Sequence, residues 1–199
     1  SRKDFNLPEQ GFIFTCFNNN YKITPNEFDI WMRLLKEIKG SILWLYKSNQ
    51  YSEKNLTYEA EKRNVNPKRI IFSKQLPQEK HLARLTLGDL ALDTFSYNGH
   101  TTTSDALRVG LPVLTKIGES FAARVSASII TSMGIPELIT NTEEEYEEKA
   151  LYIARNPSEL KRLKSKLAKS REISSLYNSA LFTRSLEDKF KELVKPNSH

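Results

Sequence analysis

The sequence predicts an α/β fold: a Rossmann-like, three-layer lobe in which helices cover both faces of a parallel sheet. Three observations point there. Short apolar runs alternate with amphipathic helical segments between residues 11 and 140. The length, 199 residues, suits one domain with a sizeable core. The apolar run Leu90–Thr94 leads into Asn98-Gly99-His100-Thr101-Thr102-Thr103-Ser104-Asp105, a glycine and a cluster of hydroxyls at a helix start. Backbone N–H groups at such a start are unpaired and partly positive, so they suit a phosphate or another anion.

The elements follow in order. Gly11–Phe17 reads as the first strand. Thr24-Pro25-Asn26-Glu27 has capping-box spacing with proline at the first helical position, and Phe28, Trp31, Leu34, Leu35 and Ile38 share one face behind it. Ser41–Tyr46 is the second strand, followed by a polar helix over 52–64. Arg69–Phe72 is the third strand, and Pro77 opens a helix reaching about Gly88. Leu90–Thr94 is the fourth strand, Thr103–Val109 a short helix ended by Gly110, and Pro112–Thr115 the fifth strand. Glu119–Met133 reads as one helix and Pro136–Ile139 as a short sixth strand. From Thr142 the chain reads as helical: a second capping box at Thr142 and Glu145, a stripe of Leu160, Leu163 and Leu167, and a last helix over Thr183–Leu193. In such a lobe the ligand sits beyond the carboxyl ends of the strands.

Composition narrows the function. Thirty basic and twenty-four acidic residues leave +6, which suits an anionic ligand and does not by itself indicate nucleic acid. The single Cys16 excludes an internal disulfide, no His/Cys group has zinc-ligand spacing, and a reducing cytoplasm is the expected compartment. No apolar run approaches the ~20 residues needed to span a bilayer, and no signal-peptide core follows Ser1-Arg2-Lys3-Asp4.

Four clusters follow four strand ends. Asn18-Asn19-Asn20-Tyr21-Lys22 is ordinary turn chemistry in its three asparagines, yet Lys22 is placed to neutralise a diphosphate. In Pro77-Gln78-Glu79-Lys80-His81-Leu82-Ala83-Arg84, His81 and Arg84 share a helix face; a solvated surface is the ordinary reading. Only three histidines exist, one of them the terminal His199, and both His81 and His100 fall beside expected strand ends, which favours function. In the third cluster a capping box of Thr102 and Asp105 accounts for two residues and leaves Gly99, His100, Thr101 and Thr103 unexplained. Ile117-Gly118-Glu119-Ser120-Phe121-Ala122-Ala123-Arg124 holds a phosphate or reverses the chain, the turn being slightly favoured. The basic run Lys161, Arg162, Lys164, Lys166, Lys169 and Arg171 reads as a solvated helix face.

Together, Phe17-Asn18, Tyr21-Lys22-Ile23-Thr24-Pro25, Pro77 with His81 and Arg84, Leu92-Asp93-Thr94, Asn98-Gly99-His100-Thr101-Thr102 with Asp105, and Gly118-Glu119-Ser120 resemble the O-GlcNAc transferase family, SPINDLY-like proteins included, over roughly Leu7–Leu193. The resemblance implies the C-terminal lobe of a two-lobed GT-B glycosyltransferase: residues 1–199 as one nucleotide-sugar-binding lobe, with a core over 11–140 and a helical segment over 142–195. It implies metal-independent, inverting transfer from a nucleotide diphosphate, UDP-GlcNAc above all, to protein Ser or Thr, with no further cofactor. Lys22 would stabilise the leaving diphosphate, helped by the helix start at Thr101 and Thr102. His100 would contact the nucleotide–sugar, Asp105 the ribose hydroxyls, and His81 and Arg84 the uridine–ribose side.

Asn19 stands where the family has a glutamine near the diphosphate, and Gln78 where the animal enzymes carry a lysine near the base; Lys80 lies almost opposite on the helix. SPINDLY-like members use GDP-fucose and some bacterial relatives transfer glucose to Asn, whereas His100 in its motif leans towards UDP-GlcNAc. The implied partners are protein acceptors, an N-terminal catalytic lobe and tetratricopeptide repeats, the last two absent from these 199 residues, so this lobe alone is expected to show little or no transfer. Two rivals remain: a non-catalytic nucleotide-sugar sensor, and a nucleic-acid module using the Lys161–Arg171 face, against which its lack of aromatics counts. Leu181, Phe182, Leu186, Phe190 and Leu193 are expected to lack a partner surface in this chain and to promote self-association.

Overall fold

The apolar runs pair into one six-stranded parallel sheet, seen in a computed structural model that describes residues 1–194. The strands are β1 (Ile13–Cys16), β2 (Ile42–Tyr46), β3 (Ile70–Ser73), β4 (Leu90–Leu92), β5 (Val113–Lys116) and β6 (Ile139–Thr140). The helices are α1 (Pro25–Glu37), α2 (Gln50–Lys62), α3 (Gln78–Leu85), α4 (Thr101–Arg108), α5 (Val125–Ser132), α6 (Glu143–Arg155), α7 (Pro157–Ile173) and α8 (Ser179–Val194). The order β3-β2-β1-β4-β5-β6 is that of a Rossmann-like lobe, and it reverses between β1 and β4. His199 and Lys195, the last residue of the 142–195 segment, lie outside the described residues.

Strand residues alternate between two apolar layers, as a sheet buried on both faces requires. Phe14, Cys16, Leu43, Leu45, Leu90 and Leu92 enter the main core with Trp31, Leu34 and Leu35 of α1 and Tyr146, Ala150 and Ile153 of α6. Ile13, Ile42 and Trp44 enter a second layer, covered near β1 by Phe5 and Leu7 of the amino-terminal segment. Register pairs Ile13 with Ile42 and Thr15 with Trp44, which keeps the two layers separate.

Several local expectations change. Thr24 donates its hydroxyl to the buried Glu27 carboxylate and makes no side-chain cap. The Thr102–Asp105 capping box does not form: α4 begins two residues earlier, at Thr101, with His100 at the N-cap position, and the Thr102 hydroxyl is taken by Asn18 Oδ1. Pro77 caps α3 from outside, and α3 stops at Leu85. The single helix expected over Glu119–Met133 is a short turn, Phe121–Ala123, followed by α5, because Ala123 O accepts the Gly118 N–H and Ser120 Oγ accepts the Ala123 N–H. Pro136–Leu138 is a helical turn, and the sixth strand starts at Ile139. Thr142 caps α6 through the Glu145 N–H, as expected.

The basic run lies on a solvated helix face, as expected, with ion pairs along it. Lys166 Nζ bonds Glu137 at 2.8 Å, Arg162 pairs with Glu159 at 2.7 Å, Lys164 lies 3.5 Å from Asp89, and Arg171 donates to the Arg108 carbonyl. Leu163 and Leu167 are buried beneath it. Among the described residues, no helix is long and apolar enough to cross a membrane.

Candidate functional site

The reversal of strand order leaves a crevice at the carboxyl ends of β1 and β4, and Asp93 fastens it from behind. Asp93 directly follows β4 and is buried. Its carboxylate accepts from Asn18 Nδ2 (3.0 Å), the Thr94 N–H (2.9 Å), the Gly99 N–H (2.7 Å) and Thr115 Oγ1 (2.8 Å). One side chain thus ties the β1 loop, the turn before α4 and strand β5 together. Burial raises its pKa, and the hydrogen bonds oppose that shift.

The α4 amino end lies in front of this fastening. Gly99 is required by close approach: a Cβ there would fall 2.5 Å from Thr103 Oγ1 and 2.6 Å from Thr102 Oγ1. Thr103 shares a hydrogen bond with Ser126, whose hydroxyl also donates to the Gly99 carbonyl at 2.7 Å. The first helical bond is from Ser104 N–H to the His100 carbonyl, so the N–H groups of Thr101, Thr102 and Thr103 have no acceptor among the described residues. These are the donors that suit an anion.

Lys22 reaches this region from the turn after β1. Its Nζ donates to the Asn98 carbonyl at 2.9 Å and lies 3.7 Å from the Tyr97 ring centre. Partial burial lowers its pKa, and the Asp93 charge opposes the shift. His100 sits between two aromatic rings, Tyr97 at 5.2 Å and Phe121 at 6.2 Å, and its buried Nε2 has no partner among the described residues.

Beside the α4 start lies a cleft of about 480 Å³, lined by Phe17, Tyr46, Gln75, Leu76, Pro77, Gln78, His81, Arg84, Thr101 and Asp105. Five of the residues singled out in the sequence therefore share one cavity: Gln78, His81, Arg84, Thr101 and Asp105. Arg84 is buried with no carboxylate partner among the described residues, stacked 4.4 Å over the Phe17 ring, and donates to the Lys74 carbonyl at 2.6 Å. Burial brings its pKa down to about 10. His81 receives the Arg84 Nε–H at Nδ1, and burial, then the Arg84 charge, bring it down to about 4. The imidazole is thus neutral near pH 7. The Asp105 carboxyl, its pKa raised by burial, makes no hydrogen bond to a described residue and faces the cleft as a free acceptor.

Asn19 sits differently. It is exposed, and its Oδ1 accepts from Ser48 Oγ at 3.3 Å, outside the cleft. Its neighbours carry out the turn chemistry: buried Asn20 donates to the Tyr46 carbonyl, and Asn18 joins Asp93 to Thr102. The Gly118–Arg124 segment follows the chain-reversal reading, with Arg124 returning to the Gly118 carbonyl at 3.0 Å. Sequence reasoning did not single out Tyr97 or the carboxylate of Asp93; a tyrosine just before Asn98-Gly99 and an aspartate ending an apolar strand were the available signals.

Comparison with known proteins identifies the family. The model of glycosyl transferase family 41 matches residues 1–186. The chain is 34% identical over 195 residues to the UDP-N-acetylglucosamine–peptide N-acetylglucosaminyltransferase of Caenorhabditis elegans, covering 98% of this chain and 17% of that protein. It is 37% identical over 187 residues to the probable UDP-N-acetylglucosamine–peptide N-acetylglucosaminyltransferase SEC of Arabidopsis thaliana, covering 94% and 19%. A solved structure, a lysine-to-methionine mutant of Thermobaculum terrenum O-GlcNAc transferase, superposes with a TM-score of 0.85 at 32% identity, over 92% of this chain and 36% of that one. The chain spans less than a fifth of the length of the two curated relatives. With a Rossmann-like α/β lobe of the GT-B type and a family match over nearly its whole length, this chain belongs to glycosyl transferase family 41.

Proposed function

We propose that this chain is the sugar-nucleotide-binding lobe of an inverting, metal-independent protein O-glycosyltransferase that uses UDP-GlcNAc and modifies Ser or Thr. The observation that carries the reading is the placement of Gln78, His81, Arg84 and Asp105 around one cleft that runs to the unpaired α4 amino end. The nucleoside lies against the α3 side, with the Asp105 carboxylate accepting from the ribose hydroxyls. The diphosphate meets the Thr101 and Thr102 N–H groups and Lys22.

In the transfer, the acceptor oxygen bonds to the anomeric carbon as the bond from that carbon to the β-phosphate oxygen breaks, inverting the configuration. The departing oxygen gains negative charge, and the Lys22 ammonium and the helix amino end stabilise it where it develops. The acceptor's proton goes to a base on a facing lobe of the parent protein. This lobe alone therefore binds donor and transfers little or nothing.

The test is calorimetric titration of UDP, GDP and UDP-GlcNAc, without added metal, into wild type and Lys22→Ala. UDP-selective binding, weakened by the substitution for UDP but not for uridine, supports the reading. Preference for GDP moves the donor towards GDP-fucose. Failure of a folded sample to bind any nucleoside diphosphate defeats it.

A further inference from the structure

Lys22 forms no ion pair with a described carboxylate; what holds it is a ring and a carbonyl. Both belong to the segment 94–98 that joins β4 to the turn before α4, and that segment is pinned. Thr94 Oγ1 donates to the Tyr97 carbonyl at 2.6 Å, Asn98 Nδ2 to the Thr94 carbonyl at 2.7 Å, and the Asn98 N–H to the Ala122 carbonyl at 2.9 Å. Tyr97 itself is 40% exposed, more than a core role needs.

We propose that Tyr97 is a positioning residue for Lys22, its ring face and the Asn98 carbonyl together holding the ammonium beside the α4 amino end, ready for a diphosphate. The physical reason is charge. A carboxylate partner would fix the lysine but neutralise it towards an anionic ligand. An aromatic face attracts the ammonium through its quadrupole and adds no net charge, and the attraction grows as water is excluded. Lysine's flexible stem loses freedom when it binds, so holding it in place beforehand favours the complex. The titratable groups around Lys22 are Asp93 and Cys16 behind it and Tyr97 against it, with His100 beyond the Tyr97 ring. Without the ring, burial acts on the ammonium with less opposition, and Lys22 loses its proton at lower pH.

The effect on diphosphate binding rests on the proposed function; the placement of Lys22 by the ring does not. The experiment compares wild type, Tyr97→Phe and Tyr97→Leu by two readouts: UDP affinity across pH, and NMR of isotopically labelled lysine with Lys22 assigned through Lys22→Arg. Tyr97→Phe keeps the ring face and should bind UDP within about twofold of wild type, whereas Tyr97→Leu should bind roughly three- to tenfold more weakly. Its alkaline loss of affinity should also begin at lower pH. The Lys22 ε-methylene protons should be shifted upfield by the ring in wild type and Tyr97→Phe, and not in Tyr97→Leu.

The inference is overturned if Tyr97→Leu matches wild type, if Tyr97→Phe behaves like Tyr97→Leu, or if affinity drops with an unmoved pH profile, the mark of a merely structural role. Should wild type bind no nucleoside diphosphate, the functional reading fails while the Lys22 resonance still decides the placement. If Tyr97→Leu does not fold, unshifted ε-protons in the wild type suffice to overturn it.

Discussion

Arg84 donates its Nε–H to Nδ1 of His81 across 3.0 Å, and this contact sets the tautomer of the imidazole. Arginine has only donors, so Nδ1 must offer its lone pair and Nε2 must carry the proton. With burial and the neighbouring charge bringing the pKa down to about 4, the folded protein holds fewer protons on His81 than the unfolded chain does between about pH 4 and the ordinary value of 6.5. The sign follows: His81 costs no stability above pH 6.5, and its destabilising contribution grows as pH falls through that window. Arg84→Met should raise the His81 midpoint only part of the way to 6.5, since burial, the larger cause, remains. An NMR titration of the imidazole carbon-bound protons measures it, and an unmoved midpoint would show that Arg84 does not govern the histidine.

Asp93 should be the most sensitive polar position in the fold. Its carboxylate meets four donors, three of them on other segments. Asp93→Asn keeps the shape but leaves Asn18, Thr94 and Gly99 donating to a neutral amide oxygen in place of a carboxylate, and turns an NH₂ towards the Thr115 hydroxyl, which loses its acceptor. A loss of about 2–3 kcal/mol is expected in urea unfolding at pH 7. A loss under about 0.5 kcal/mol would mean the site is fastened elsewhere.

Much of this architecture was legible because its cause is local. Gly11–Phe17 contains β1 and Ser41–Tyr46 contains β2, since buried parallel strands read as continuous apolar runs. The strand-end rule places His81, Arg84, Thr101 and Asp105 along one edge of the sheet, and all four line one cleft there. Asp93 was invisible as a fastener because its partners Asn18 and Thr115 lie 75 and 22 residues away, and a carboxylate at a strand end has no pattern that announces them. The same distance effect misplaced the α4 start. Thr102 and Asp105 have capping-box spacing, but Asn18, 84 residues upstream, captures the Thr102 hydroxyl. Asn19 could not be separated from Asn18 and Asn20 by sequence, as all three suit turns and only contacts assign them.

Gly99→Ala tests the close approach at the α4 start. The added methyl meets two threonine hydroxyls at 2.5 and 2.6 Å, one hydrogen-bonded to Asn18 and the other to Ser126, so neither rotates freely. A cost of about 1–3 kcal/mol is expected, with UDP affinity reduced as the α4 amino end shifts. Thermal melts and titration of the same sample measure both. Unchanged stability would mean that the turn relaxes without loss.

The last helix carries a different liability. In α8, Phe182 is 63% exposed and Phe190 58%, with Leu181, Leu186 and Leu193 also exposed. An apolar face of this size promotes self-association. Sedimentation should show mass rising with concentration for wild type and a monomer for the Phe182→Glu, Phe190→Glu double variant, with melting temperature unchanged because neither ring packs in the core. A wild type that stays monomeric at high concentration would contradict this.

Asp105 offers the sharpest test of how the cleft reads its ligand. Its carboxyl faces the cavity from the second turn of α4 without a hydrogen bond to a described residue, and burial already raises its pKa. A ribose with both hydroxyls would supply donors to a charged acceptor, an interaction worth about 1.5–3 kcal/mol, or roughly ten- to a hundredfold in affinity. Wild type should therefore prefer UDP to 2′-deoxy-UDP, and Asp105→Ala should lose most of that preference while binding 2′-deoxy-UDP nearly as wild type does. The raised pKa adds a pH signature: UDP affinity should fall in acid at a pH above that of an ordinary aspartate, as the carboxylate takes a proton and stops accepting two bonds. Asp105→Ala should lose that acid limb as well. Equal loss of affinity for both nucleotides would instead assign Asp105 to the shape of the cleft and leave ribose recognition to other groups.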